Sequence, residues 1–137
     1  MTEPSVHTLE MSVPPDDVDT VHNLLETVWS DAPGISLRDR MSFETALVEL
    51  ASNVIQYANA GTGVSCRVSV ETQEDQISAS LCDSGKAADV ELDGRRMPDG
   101  MAESGRGIAL IQALVDELTY SRDDDVNHWE ITRRLAP

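Results

Sequence analysis

The sequence predicts an α+β fold, a two-layer sandwich in which helices cover one face of a mostly antiparallel mixed sheet. Apolar residues recur at helical spacing in two long stretches, while period-two runs come in neighbouring pairs around short polar turns. Strands outnumber long crossover units, so hairpin connections dominate, and the second sheet face is left for solvent or a partner.

The run VHTLEMSV, residues 6–13, alternates well enough for a first strand, and Pro14-Pro15-Asp16-Asp17 supplies the proline and acid expected at a helix start. Val18, Val21, Leu25, Val28 and Trp29 then form a helical stripe that Ala32-Pro33-Gly34 ends. A second helix begins near Leu37 or Arg38. It carries Phe43, Leu47, Leu50, Val54 and Ala58 on one stripe and stops around Asn59-Ala60-Gly61, where Gly61 suits a left-handed C-cap.

Two strands follow as a hairpin, VSCRVSVE and QISASLCD, with Val64, Cys66, Val68 and Val70 on one side. Period-two counting puts Ile77, Ala79, Leu81 and Asp83 on the inward side, so Asp83 points toward the helices while Cys82 faces away. Residues 86–104 show no sustained period and read as a long surface lid. GRGIALIQALVDEL starts a third helix, with Ile108, Ile111, Val115 and Leu118 on its buried stripe. Two closing strands, around Leu118–Ser121 and HWEITRRL, flank the acidic turn Asp123 to Asp125, with Trp129 and Ile131 facing in.

The 137 residues fit one domain, 1–137, with no internal repeat and no dividing linker. A net charge of −15 with only ten Lys and Arg argues against direct nucleic-acid binding, which needs cations to neutralise phosphates, and makes a basic protein partner easier to accommodate. No window approaches the roughly 18 apolar residues that span a bilayer, and the amino terminus lacks a secretory pattern, so the expectation is a cytoplasmic protein without membrane contact. Cys66 and Cys82 lack CxxC spacing and are expected to be reduced and unpaired.

Three separated elements could carry chemistry. Glu49 and Asn53 project from neighbouring turns of one helix, beside its apolar stripe, and can act on one ligand. A carboxylate there can orient a hydroxyl proton, and an amide oxygen suits Mg2+ shared with phosphates. An ordinary solvated polar pair is the plainer reading. Asp83, at a strand end, can accept from an exocyclic amine, and Gly85 lets a flat ring approach the backbone, although a bare DxG is more often a turn. Gly105 and Gly107 flank a helix start, where free N–H groups and the helix dipole favour phosphate; GxG is also common in loops.

Taken in order, ELASNVIQYA, LCDSG and ESGRGIALIQALVDEL resemble the N-box and two glycine boxes of the GHKL (Bergerat) ATP-binding fold. Within it, the chain is most similar to the anti-sigma factor serine-protein kinases, over nearly its whole length, and WEITRRL resembles their closing strand. The resemblance implies ATP and Mg2+ as cofactors. It makes Glu49 the catalytic base, Asn53 the Mg2+ ligand, Asp83 the adenine-recognising acid beside Gly85, and Gly105 and Gly107 the phosphate contacts, with Arg106 offering a further charge. It also implies an enzyme that phosphorylates a serine on a STAS-domain anti-anti-sigma protein and sequesters a sigma factor, and it favours a homodimer. The alternative is a non-catalytic, nucleotide-responsive binding module in the same kind of partner-switching pathway. Departures from the pattern are Tyr57, where many relatives carry a basic residue, Lys86 after Gly85, and no evident match to a late threonine near Asn127-His128-Trp129.

Overall fold

The computed structural model describes residues 5–13, 16–58, 64–85 and 102–135, with the side chains of residues 13, 57, 58 and 102–107 outside the description. In chain order the elements are β1 (Ser5–Val13), α1 (Val18–Asp31), α2 (Leu37–Ala58), β2 (Val64–Thr72), β3 (Gln76–Asp83), α3 (Ala102–Leu114), β4 (Glu117–Asp123) and β5 (Val126–Arg134). The strands form one five-stranded sheet in the order β1-β2-β3-β5-β4. All four pairings are antiparallel, so no parallel pair of the expected mixed sheet occurs among the described residues.

Register turns the alternation of each strand into rows across the inner face. Leu9, Val68, Leu81, Trp129 and Tyr120 make one row, and His7, Val70, Ala79, Ile131 and Leu118 the next. These mainly apolar rows are roofed by Val21, Leu25 and Val28 of α1, Phe43, Leu47, Leu50 and Val54 of α2, and Ile108 and Ile111 of α3. The branched and aromatic side chains suit a pleated, half-covered surface, and their removal from water is the main drive for packing the helices there. The outer face carries Thr8, Ser69, Ser80 and Glu130 instead, with Thr8 hydrogen-bonded to Ser69 across the strands.

Local signals explain the helix ends. Asp17 caps α1, its carboxylate accepting the N–H of Asp19 at 3.0 Å. At α2, the Ser36 hydroxyl accepts from the Asp39 N–H at 3.1 Å and donates to the Asp39 carboxylate at 3.0 Å, a serine and an acid three residues apart bracing the first turn. Arg40 donates to the carbonyls of Ile35 and Pro33, tying down the short α1–α2 connection. Trp29 of α1 stands edge-on to Phe43 of α2 and donates to Glu44.

Two boundaries differ from the sequence reading. α3 begins at Ala102, so residues 102–104 are helical and not the end of a loop, while residues 86–101 of the expected lid and Gly61 of the expected cap lie outside the described residues. α3 also ends at Leu114, and Leu118 belongs to β4, because the chain turns at Val115 and the Asp116 N–H already bonds the Thr132 carbonyl of β5 at 2.8 Å. Helical spacing carried the stripe one residue pair too far, since Leu118 is inward-facing in either conformation.

One end of the inner face is closed by an ion pair. Arg133 of β5 reaches Asp39 of α2 at 2.9 Å and donates to the Leu114 carbonyl at the end of α3, joining three elements. Asp39 is 4% exposed. Removing one partner of such a pair strands the other charge in a poorly solvated place. We expect Asp39→Ala to lose about 3 kcal/mol of stability in urea unfolding, and the double variant Asp39→Ala/Arg133→Met to recover part of that loss.

Candidate functional site

At the opposite end of the sheet the register places Met11, Cys66, Asp83, Asn127 and Arg122 in one row. Here the alternation that gives valine and leucine in the adjacent rows delivers polar groups into the interior. Asp83 is 2% exposed and Asn127 1%. The inward position predicted for Asp83 is therefore observed.

Asp83 Oδ1 accepts from the backbone N–H of Gly85 at 2.9 Å and from Asn127 Nδ2 at 2.8 Å. The first bond folds the Asp83-Ser84-Gly85 corner, as a short acidic side chain bonding two residues ahead does in an Asx turn. Ser84 ties the same corner to β2, its N–H bonding the Ser65 carbonyl and its hydroxyl accepting the Ser65 N–H. Asp83 Oδ2 is buried and has no hydrogen-bond partner among the described residues. Buried carboxylate oxygens are normally satisfied, so one left open marks a place for a further donor.

On α2, Asn53 is 8% exposed, and its Nδ2 is likewise buried without a partner among the described residues. Glu49 lies one turn earlier and is half-buried. Both sit beside the stripe of Leu47, Leu50 and Val54, as expected. Among the described residues no hydrogen bond or ion pair joins Glu49 or Asn53 to Asp83 or Gly85; the two pairs are separate groups presented by a helix and a strand end of the same layer interface. The side chain of Tyr57 lies outside the described residues.

Gly105, Arg106 and Gly107 fall within α3, and the side chain of Arg106 is outside the description. A helix leaves only its first few N–H groups without intrahelical partners. With α3 starting at Ala102, those donors precede Gly105, so the two glycines leave the helix surface bare and do not themselves open the helix.

The chain missed by the motif reading is Asn127, with Tyr120 and Arg122 behind it. Asn127 Oδ1 accepts from the Tyr120 hydroxyl at 2.6 Å and from Arg122 Nη1 at 2.8 Å, and Arg122 Nη1 also donates to the Gly85 carbonyl at 3.0 Å. The signal that could have found it is parity: Trp129 and Ile131 face in, so Asn127 must too, and an amide on an inward position is informative. It occupies the stretch where no late threonine was evident.

Both cysteines are free, Cys66 buried and Cys82 on the outer side, where it contacts His128 Nδ1 at 3.2 Å. Burial, and after it the negative charge of neighbouring Asp83, push the Cys66 thiol up to about 12. No group of three or more metal-ligating His, Cys, Asp or Glu side chains occurs among the described residues, and no described helix is long and apolar enough to cross a membrane. An amide oxygen such as that of Asn53 is of the hard type that Mg2+ accepts beside phosphate oxygens.

A sheet of this topology, roofed by three helices and ending in a buried, half-satisfied acid, defines a GHKL-type ATPase sandwich. The chain belongs to the family of histidine kinase-like ATPase domains, which it matches over residues 11–132. Among solved structures it is similar to the RsbU and RsbW domains of Rv1364c from Mycobacterium tuberculosis, at 20% identity and a TM-score of 0.64, covering 99% of this chain and 34% of that one. It is also similar to the histidine kinase domain of the blue-light activated histidine kinase from Erythrobacter litoralis EL346, at 14% identity and a TM-score of 0.54, covering 70% of this chain and 47% of that one. The chain thus spans less than half the length of either structure. No curated protein sequence matches it.

The Cys66–Asp83 adjacency gives a test of this row. Folding raises the Cys66 value from 9.0 to about 12, so its contribution to stability is complete below pH 9 and is lost as pH rises toward 12. In a Cys82→Ser background, Asp83→Asn removes the negative charge that disfavours the thiolate, and we expect Cys66 to react faster with iodoacetamide at pH 9. An unchanged rate would show that the charge of Asp83 does not reach the thiol.

Proposed function

We propose that this domain is an ATP-dependent serine-protein kinase and anti-sigma factor that phosphorylates a STAS-domain anti-anti-sigma protein and sequesters a sigma factor. The observation that carries the nucleotide part is Asp83 Oδ2, a buried acceptor without a partner among the described residues; Asn53 Nδ2 on α2 is a second buried polar atom, a donor, in the same state. The partner-switching part rests on the resemblance of the motifs to the anti-sigma factor kinases and on the likeness to a structure containing an RsbW domain.

In this reading Asp83 Oδ2 accepts from the adenine amino group, and Gly85 lets the ring lie close to the backbone. Asn53 turns its amide about the Cβ–Cγ bond so that Oδ1 can ligate Mg2+, which when bound neutralises charge on the phosphates. The first turn of α3 supplies amides toward the phosphates, the bare surface at Gly105 and Gly107 admits them, and Arg106 adds a positive charge. Glu49 orients the serine hydroxyl and takes its proton. The order is chemically sensible, because the base and ring are held by a rigid strand end while the reacting groups meet along one helix.

The protein is expected to act in the cytoplasm as a homodimer with no direct nucleic-acid or membrane contact. The polar outer sheet face and the charge of −15 suit protein partners with basic surfaces.

Incubation with γ-labelled ATP and a co-encoded STAS protein tests the assignment. We expect label on a STAS serine, with Glu49→Ala reducing transfer by about 10²-fold or more while nucleotide binding stays measurable. Normal transfer by Glu49→Ala would remove Glu49 from its role. Nucleotide-dependent co-purification without any label would instead favour the non-catalytic binding module, for which Tyr57 at a commonly basic position is the feature in the sequence.

A further inference from the structure

We propose that the outward side of α2 is a docking seam for a basic amphipathic helix of a partner protein. The proposal goes beyond the nucleotide reading and stands without it. α2 is a 22-residue helix whose inner stripe, Phe43, Leu47, Leu50 and Val54, is engaged with the sheet. It also carries a second apolar line, Leu37, Met41, Val48 and Ile55, turned away from that stripe. Leu37 is 70% exposed and Met41 61%, while Val48 and Ile55 are half-buried at the edge of the core. Single exposed apolar residues are ordinary, but a line of them bordered by charge marks an interaction surface.

Spacing identifies the shape of the occupant. Met41, Val48 and Ile55 are seven residues apart and Leu37 stands four before Met41, the repeat by which one helix packs along another. Seven residues is close to two helical turns, so the line runs nearly parallel to the axis, for about 27 Å from Leu37 to Ile55. Thr45 and Ser52 follow Met41 and Val48 by one turn, and their short side chains let a second backbone come close. A strand, with its two-residue period, does not match this repeat.

Charge identifies its chemistry. Glu44 accepts from Trp29 Nε1 at 2.9 Å and faces His22 Nδ1 at 3.6 Å, which sets α1 alongside the seam. Glu26 lies four residues after His22 and Asp19 three before it, so both exposed carboxylates share the flank of α1 that borders α2. Of the two arginines at the start of α2, Arg40 is turned to the Ile35 and Pro33 carbonyls, and Arg38 is exposed. Lysines or arginines flanking the apolar residues of a partner helix meet Asp19, Glu26 and Glu44 there, and the chain's charge of −15 adds attraction at longer range. A second copy of this chain, or an anionic lipid surface, brings like charge to the same edge.

Two peptides of about three heptads serve as probes, both with leucine at a and d, one with lysine and the other with glutamate at e and g, like charges that keep each peptide from pairing with itself. A third has the composition of the lysine peptide in scrambled order. Each is labelled with fluorescein and titrated with the full chain at physiological salt, and binding is read as anisotropy. The lysine heptad peptide is expected to bind, the scrambled peptide about tenfold more weakly, and the glutamate peptide not at all. Leu37→Ser/Met41→Ser alters only exposed side chains and is expected to weaken the lysine peptide about tenfold with the urea midpoint unchanged. Glu26→Gln should weaken it about threefold, and Glu130→Gln on the outer sheet face should not affect it. Should the double variant lose stability, Thr45→Arg, which puts a long cation where the partner backbone approaches, must weaken the lysine peptide in the same way. No binding of the lysine peptide, equal binding of any two of the three peptides, or unchanged affinity in the seam variants overturns the proposal. So does a dimer in sedimentation that Leu37→Ser/Met41→Ser dissolves, because the seam then belongs to a second copy. ATP binding or its failure bears on none of these outcomes.

Discussion

Asp83 keeps a carboxylate almost wholly out of water at the end of an apolar strand, and donors must replace the lost solvent if such a group is to be tolerated. Two N–H groups do so for one oxygen and none for the other. Much of the architecture near that end follows from this requirement. β5 must lie beside β3 to bring Asn127 opposite, β4 must lie beside β5 to bring Tyr120 and Arg122 behind it, and Gly85 must fold back so that its N–H reaches Oδ1.

The two ends of the inner face solve the same electrostatic problem differently. At one end Asp39 meets a cation from its own chain, Arg133, and accepts a hydroxyl as well, and Arg133 ties α2, α3 and β5 together. At the other end the nearest cation on the row, Arg122, is directed to Asn127 and the Gly85 carbonyl, not to the acid. One ion pair is therefore complete and one acid is left open. α2 links the two, because Asp39 stands in its first turn and Glu49 and Asn53 lie further along it. Anything that shifts the helix along its axis is resisted at the Asp39 end, which fixes the height of the polar pair over the sheet.

Most of the fold was legible in the sequence because its signals are local. Period-two runs at 64–71 and 76–83 place the inward residues of that hairpin up to Val70 and Asp83, missing only the buried Thr72 that ends β2, and the 3.6-period stripes place α1 and α2. What local patterns cannot carry is strand order: nothing near residue 127 says that it will face residue 83, since that pairing is made between segments 44 residues apart. The α3 boundary was missed for a related reason. Glycines at 105 and 107 read as a helix start by propensity, yet tertiary packing of Ile108 and Ile111 can sustain helix through them. Alternation alone turned Asp83 inward, and only the motif resemblance joined it with Asn53 into one candidate site, because spacing carries no such long-range information.

The strand order has a consequence for how the domain comes into being. β5 is the last strand in the chain, yet it lies inside the sheet, between β3 and β4, and β4 touches the sheet only through it. As the polypeptide emerges in order, β3 therefore waits with an open edge, and Asp83 with neither Asn127 nor Tyr120 and Arg122 behind it. β4 has no neighbour until its own hairpin closes through Asp124 and Asp125, both in the left-handed region. Closure of the sheet around β3 and completion of the Asp83 hydrogen-bond network thus both wait for β5.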